Sequence, residues 1–319
     1  MGVAARVHCN APGPLEELRR DFAWFASRGP NSGEDALELQ LRLSAPTAAA
    51  RGRLTLWHPG RYRAYDEGAA RHIVYADGAQ AGYDFSARRG WVASPSPERL
   101  RELGYLALLS RAGEALERRG RHRVHALGLG AGGRAGLVLL AEGGGKSVLA
   151  LALLRQTALA ILSDDTPLVD AEGRCWAWPL RLGLRADADL SSVPSHWVRP
   201  FYRLGRQPKR VIDVDYFAPR VSSGLPAAWL FLGRRGAGPP RLRPARPGAV
   251  AAALADALVL GRGIAQMSEY MLGWSPQRLA QLAGLAAARI RAARALARSA
   301  QGVVFEMGQV LEELVSERA

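Results

Sequence analysis

The feature that most constrains this chain is the run Leu139-Leu140-Ala141-Glu142-Gly143-Gly144-Gly145-Lys146-Ser147-Val148-Leu149-Ala150. An apolar strand enters three glycines and leaves through Lys-Ser into a helix. Glycine lets the backbone curl so that successive N–H groups converge, and the helix N-terminus adds the positive end of its dipole. Such a loop suits phosphate. Gly143, Gly144 and Gly145 form the candidate cradle, Lys146 is placed to neutralise β- and γ-phosphates, and the Ser147 hydroxyl to ligate Mg²⁺. The strict pattern asks for a glycine five residues before Gly145, where Leu140 stands, so the motif departs from it at one residue.

A second signal follows one helix and one strand later, in Ile161-Leu162-Ser163-Asp164-Asp165-Thr166. Strand, loop, helix and strand in this order spell a βαβ unit of an α/β sheet. Paired acids at the end of its second strand lie beside the loop, where one can hold Mg²⁺ and the other can take a hydroxyl proton.

Composition narrows the remaining classes. With 319 residues and 48% hydrophobic content the chain can bury a sizeable core. No apolar run reaches the roughly 18 residues of a membrane span. The N-terminus lacks a signal-peptide core, and Cys9 and Cys175 have no metal-ligand spacing, so a cytoplasmic protein with reduced thiols is expected. The net charge of +14 is scattered, with no long basic block and no aromatic interleaving. This disfavours nucleic acid and favours an acidic or phosphorylated ligand. Only two of the 43 basic residues are lysine, Lys146 and Lys209. Where arginine fills nearly every cationic position, a retained lysine marks a place that needs a compact ammonium. Lys209 is a candidate on that ground.

The first 95 residues read as a β-rich module of mostly antiparallel strands. Leu37, Leu39, Leu41 and Leu43 alternate with polar residues, and Arg53–His58, His72–Ala76 and Tyr83–Ala87 are further strands, with turns at Asp77-Gly78 and Arg89-Gly90. Ser96-Pro97-Glu98 opens a helix with a leucine stripe that Gly120 closes, a linking segment over 96–122. The third segment, 123–319, holds strands at Val124–Leu129, Ala135–Ala141, Ala158–Ser163, Pro167–Val169, Trp176–Leu184 and Ala228–Gly233. A helix from Ser147 to about Gln156, an irregular stretch over 191–223, a Pro-rich loop at Pro239–Pro247 and a mostly helical C-terminus with a strand at Val303–Met307 complete it.

His125-Ala126, Gly143–Ser147, Leu149-Ala150-Leu151-Ala152-Leu153, Ser163-Asp164-Asp165 and Pro179-Leu180-Arg181 together resemble the HPr kinase/phosphorylase family and its HPr-kinase-like relatives, in that order along the chain. The resemblance covers His125 through Leu184 and, more weakly, the region to Gly233; the N-terminal module is unlike that of the HPr enzymes. It implies an α/β fold with a P-loop kinase core of the HPr kinase / phosphoenolpyruvate carboxykinase type, and ATP- and Mg²⁺-dependent phosphoryl transfer to a serine hydroxyl of a small protein or peptide. By the same resemblance Lys146 and Ser147 bind phosphates and metal, one of Asp164 and Asp165, with Asp164 preferred, is the general base while its neighbour supports the metal, and His125 lies near the phosphates. Arg181 offers a phosphate contact, and Lys209 reaches the transferred group from a mobile loop. The family's Glu in Glu-Ile-Arg-Gly is missing from Pro179-Leu180-Arg181-Leu182-Gly183, which argues against phosphorylase activity. Relatives with a distinct N-terminal module include tailoring kinases of ribosomally made peptides such as lasso peptides, so the module is expected to bind a peptide by adding it to a sheet edge. The HPr enzymes form hexamers, which leaves a homo-oligomer open. The competing reading is a nucleotide-binding scaffold or regulatory protein that has lost phosphoryl transfer.

Overall fold

Alternation at Leu37–Leu43 builds the sheet it implies: Leu37, Leu39 and Leu41 are buried while Gln40 and Arg42 face solvent. The computed structural model describes residues 3–26, 36–46, 49–141, 143–156, 159–205, 207–235, 241–264, 267–273 and 275–307. The chain is mixed α/β and divides into two compact units, Met1–Leu116 with Tyr202–Arg206 and Ala265–Ala283, and Glu117–Phe201 with Gln207–Ile264 and Gly284–Ala319.

The first unit is a sheet ordered β1-β2-β7-β6-β5-β4-β3. Its strands are β1 (Ala5–Cys9), β2 (Leu37–Leu43), β3 (Arg53–His58), β4 (Tyr62–Glu67), β5 (Ala70–Tyr75), β6 (Gln80–Asp84) and β7 (Arg89–Ser94). The run from β3 to β7 is antiparallel as expected, but β2 pairs parallel with both β1 and β7. A helix α1 (Pro12–Asp21) stands where no element was foreseen, because Pro12, Gly13 and Pro14 look like breakers. Pro12 sits in the first turn, where its missing N–H costs nothing. Arg89-Gly90 opens β7 and is not the expected turn. A Cβ at Gly90 would lie 2.7 Å from the Tyr83 side chain, so this glycine admits a close neighbour. The turn itself falls at Phe85–Arg88, where Asp84 Oδ1 accepts the Ser86 and Ala87 N–H groups at 2.8 and 2.9 Å.

Helix α2 (Pro97–Arg118) is capped as expected, Ser96 Oγ accepting the Arg99 N–H at 3.1 Å. Leu100, Leu103, Ala107 and Leu108 pack into one core with Leu39, Leu41, Ile73, Tyr75 and Val92. Most of α2 is therefore part of the first unit's core, where the sequence suggested a linker, and the unit boundary falls between Leu116 and Glu117.

In the second unit a mixed sheet runs β11-β9-β10-β17-β13-β12-β8, and β19 pairs with both β17 and β18. Its strands are β8 (His122–Arg123), β9 (Leu127–Ala131), β10 (Arg134–Leu139), β11 (Ala160–Ser163), β12 (Leu168–Val169), β13 (Arg174–Trp176), β17 (Leu225–Arg235), β18 (Arg241–Pro244) and β19 (Gln301–Met307). Helix α3 (Lys146–Gln156) joins β10 to β11, and β9 lies between them, antiparallel to both. That is the βαβ unit read from the sequence, with one strand interposed. The single strand expected at Trp176–Leu184 is instead two. After β13 the chain crosses Pro179, which has no N–H to donate, and resumes as β14 (Leu182–Arg185) in another sheet. That sheet, ordered β14-β16-β15, also draws β15 (Val198–Phe201) and β16 (Lys209–Ile212) from the stretch expected to be irregular. Pro194, Pro200 and Pro208 hid them, and Pro200 lies on an edge strand, where proline is tolerated. Helices α4 (Pro247–Leu254), α5 (Ser268–Met271, in the first unit) and α6 (Pro276–Ser299) account for the helical C-terminal part, and β19 covers the strand expected at Val303–Met307; Ala158 and Pro239 lie outside the described residues, and 241–244 of the expected Pro-rich loop form β18. Among the described residues no helix is long and apolar enough to cross a membrane. Cys9 and Cys175 are free, and burial pushes the Cys175 thiol up to about 12.

Candidate active site

The site grows from the end of β10. Leu137, Val138, Leu139 and Leu140 are buried, and the chain then turns through Gly143 and Gly145, whose φ values of 73° and 94° lie in the left-handed region open to glycine. Gly144 N–H donates to Ala141 O at 3.0 Å and Leu149 N–H to Gly145 O at 2.9 Å, which closes the turn onto the start of α3. Glu142 lies outside the described residues. Leu140, the departure from the strict motif, is a core residue: its side chain rests on Gly233 of β17, where a Cβ would meet it at 2.2 Å. Its carbonyl serves the loop, accepting Lys146 Nζ at 3.0 Å.

Backbone pairing brings the next groups together. His125 N–H donates to Ala257 O, Ala126 N–H to Asp165 O and Val124 N–H to Pro167 O, each at 3.0 Å. The His125 segment is thereby fixed against the residues that follow β11. Ser163 Oγ accepts the Thr166 N–H at 3.1 Å and sets the turn that holds the two acids.

The side chains then sort into two pairs. Ser147 Oγ donates to Asp164 Oδ2 at 3.5 Å. Lys146 Nζ lies 2.9 Å from His125 Nε2 and 3.8 Å from Asp165 Oδ1, and His125 Nδ1 lies 3.3 Å from the same oxygen. An ammonium only donates, so Nε2 accepts and the ring proton sits on Nδ1, facing Asp165. Lys146, His125 and Asp164 are each 7% exposed, whereas the Asp165 side chain is 48% exposed. One carboxylate is sunk beside the helix start and its neighbour opens to solvent.

Burial pushes the Asp164 carboxyl up to about 7, and the like charge of Asp165 adds to the rise; Arg181 and Lys146 pull it back. Arg181 is buried, its guanidinium carbon 4.1 Å from the centroid of the Phe201 ring. Gly143, Gly144, Gly145, Lys146, Ser147, His125, Asp164 and Asp165 are thus gathered at one place, with Arg181 within electrostatic reach. Lys209 is not gathered: it is exposed at the start of β16, and among the described residues no hydrogen bond or ion pair links it to this group. Three tryptophans of this unit, Trp176, Trp178 and Trp197, are held in the structure. Trp176 Nε1 donates to Asp170 Oδ2 at 2.8 Å beneath the Arg121 guanidinium, Trp178 is buried, and Trp197 packs on His196.

Two residues were not foreseen. Gly263, at φ +85°, lies so close to His125 that a Cβ there would sit 2.5–2.7 Å from three ring atoms. It follows a π-helical turn, Ala255–Leu260, closed by Gly261 in the left-handed region. Phe201 is the second, reached through a strand that the prolines concealed. The Gly261-Arg262-Gly263 sequence was the visible signal for the first; nothing local marked the second.

Mg²⁺ is the ion that these residues suit. It takes hard oxygen donors, commonly one or two from protein with phosphate oxygens and waters completing the shell. Ser147 and Asp164 supply that set, and a buried carboxyl pushed up to about 7 is one that a cation would relieve. Among the described residues no group of three or more His, Cys, Asp or Glu is placed to hold a metal by protein ligands alone. No family model and no curated protein matches the chain.

Proposed function

We propose that this chain is an ATP-dependent kinase of the HPr-kinase-like type that transfers phosphate to a serine hydroxyl of a small protein or peptide. The observation that carries the reading is the convergence of Lys146 and Ser147, at the start of α3, with the consecutive carboxylates of Asp164 and Asp165.

The geometry favours a division of roles opposite to the one the family resemblance implied. Asp164, beside Ser147, is the metal-side carboxylate; Mg²⁺ bound there would neutralise phosphate charge. Asp165, exposed and steadied by His125, is the group an incoming serine can reach, and its free oxygen accepts the hydroxyl proton. The serine oxygen then bonds to the γ-phosphorus as the bond to the β–γ bridging oxygen breaks and ADP departs. Lys146 and the N–H groups of the Gly-rich loop hold the phosphates throughout. His125 fixes the direction of both Lys146 and Asp165. Arg181, held over the Phe201 ring, sets the charge around Asp164.

Isothermal titration of Mg-ATP against wild type, Lys146→Ala, Asp164→Asn and Asp165→Asn, followed by transfer to a serine-peptide library, tests the reading. Lys146→Ala is expected to lose nucleotide, Asp164→Asn to lose the Mg²⁺ dependence of binding, and Asp165→Asn to bind but not transfer. A wild type that binds nucleotide and never phosphorylates a serine would support the scaffold reading, which Leu140 in place of glycine favours.

A further inference from the structure

We propose that Arg262 is a further phosphate-binding residue of the candidate site, a side chain that leaves Asp256 to bind the γ-phosphate of a nucleoside triphosphate. This role rests on the nucleotide reading above and adds to Lys146 a cation that no sequence motif marks. Arg262 and Asp256 lie in the second unit, as do the Gly-rich loop and the paired acids.

The backbone puts Arg262 beside the chemistry. Helix α4 runs on into the π-helical turn Ala255–Leu260, and the chain then passes Gly261 at φ 64° and Gly263 at φ 85°, with Arg262 between them. Turns of this wider kind are rare and are found mostly at functional sites, and glycine is the residue that takes a positive φ without strain. The segment is tied to the site at two points. His125 N–H donates to Ala257 O at 3.0 Å, and Gly263 stands against the His125 ring, where a Cβ would come within 2.5 Å of Nε2. That same Nε2 lies 2.9 Å from Lys146 Nζ, and Nδ1 lies 3.3 Å from Asp165 Oδ1. Arg262 and Gly263 are exposed while His125 and Lys146 are buried, so the two mark the solvent side of this ring. From bond lengths, an extended arginine carries its guanidinium about 6–7 Å from its Cα, farther than the width of the imidazole that separates Gly263 from Lys146.

The side chain is placed to change partners. Arg262 is 73% exposed and Asp256 51%, with Nε 3.1 Å from Oδ1, and among the described residues Arg262 makes no other side-chain contact. An exposed pair of this kind contributes little to stability and is easily exchanged. Phosphate oxygens offer the guanidinium fork a bidentate partner of higher negative charge. The site also lacks surplus positive charge. Lys146 and Arg181 face Asp164 and Asp165, two cations against two acids, whereas Mg-ATP still carries net negative charge. The simpler role for Arg262 is that of a cation at a helix C-terminus, where the helix dipole favours it. Arginine is so common in this chain that residue type decides nothing between the two roles; they differ in which nucleotide the side chain distinguishes.

The test is titration calorimetry of Mg-ATP and Mg-ADP against the full chain and its Arg262→Ala, Arg262→Lys and Asp256→Asn variants, with thermal unfolding of each protein alone. A contact to the γ-phosphate is expected to make Arg262→Ala bind Mg-ATP about tenfold or more weakly while it binds Mg-ADP as wild type does. Arg262→Lys, a point charge in place of a fork, is expected to recover part of that loss. Asp256→Asn, which frees the arginine, is expected to bind Mg-ATP at least as tightly as wild type. Because Arg262 is exposed, its substitution is expected to leave the melting temperature of the ligand-free protein unchanged. Equal Mg-ATP affinity in wild type and Arg262→Ala would overturn the assignment. Equal losses of Mg-ATP and Mg-ADP would overturn it too, and a lowered melting temperature beside them would assign Arg262 to the helix end. A wild type that binds neither nucleotide would overturn this role together with the nucleotide reading. An ATP preference that depends on Arg262, with no serine ever phosphorylated, would leave Arg262 in its role and count against phosphoryl transfer alone.

Discussion

Replacing Asp164 by asparagine should make the metal-free protein more stable while impairing its chemistry. The carboxyl is buried and stands beside Asp165, so its proton is held up to about 7 from an ordinary 3.8. A group whose folded value is raised contributes stability that is complete below the unfolded value and is lost as pH climbs through the folded one. The rise corresponds to about 4 kcal/mol lost above pH 7. Asparagine keeps the size and an acceptor for Ser147 but carries no charge. The advantage of Asp164→Asn over wild type should therefore grow from roughly 2 kcal/mol at pH 5 to about 4 kcal/mol at pH 8, relaxation around the site making both upper bounds.

The comparison cancels every other titrating group that the two proteins share. Urea unfolding in EDTA across pH 5 to 8.5, with hydrogen exchange in β11 to report the second unit separately, reads the difference. A gap that fails to widen with pH, or an Asp164→Asn protein less stable than wild type at pH 8, would refute the assignment of Asp164 as a strained, buried carboxylate. Adding Mg-ATP should then reverse the order, because ligand that binds only the folded wild type adds stability by mass action.

Three further substitutions probe the surroundings. Lys146→Arg keeps the charge, yet the planar guanidinium cannot serve His125 Nε2 and the Leu140 and Ala141 carbonyls from one point, so Mg-ATP affinity in titration calorimetry should fall about tenfold or more. Gly263→Ala forces a methyl into the His125 ring at a positive φ, and should cost about 1–3 kcal/mol in thermal unfolding and lower turnover more than nucleotide affinity. Glu117 lies buried between Arg289, which it binds at 2.7, 2.8 and 3.0 Å, and Arg123 at 3.1 Å. Glu117→Leu strands two buried guanidinium ions and should destabilise the second unit by about 3–5 kcal/mol in chemical denaturation.

The residues of the candidate site were legible because each is imposed by local chemistry. Three glycines before Lys-Ser and two acids after an apolar strand occupy positions that the chain order alone brings near one another. What was hidden depends on contacts between distant segments. Gly90 looks like a turn residue until Tyr83 is seen against it, and Phe201 has no role until Pro179 sends the chain into a separate sheet where that ring meets Arg181. Helix α1 was missed because two prolines flank a glycine, although proline in a first turn is helix-compatible. The relative placing of Asp164 and Asp165 was also beyond the sequence. Adjacent residues in a turn face different neighbours, and only the pairing of Ala126 with Asp165 decides which acid meets His125.

The scarcity of lysine gains a physical cause at one of its two positions. Lys146 Nζ reaches His125 Nε2 at 2.9 Å, Leu140 O at 3.0 Å and Ala141 O at 3.4 Å, with Asp165 at 3.8 Å. Three acceptors around a single nitrogen match an ammonium, which carries three protons on one atom; a guanidinium spreads its five over a plane. The same three protons can be turned to phosphate oxygens, since a carbonyl contact is exchanged more readily than a rigid bidentate pair is broken. On the proposed kinase reading, a chain that uses arginine almost everywhere else keeps lysine where a point charge would have to change partners. At Lys209 no such set of acceptors surrounds the side chain among the described residues, and nothing in the structure explains its retention.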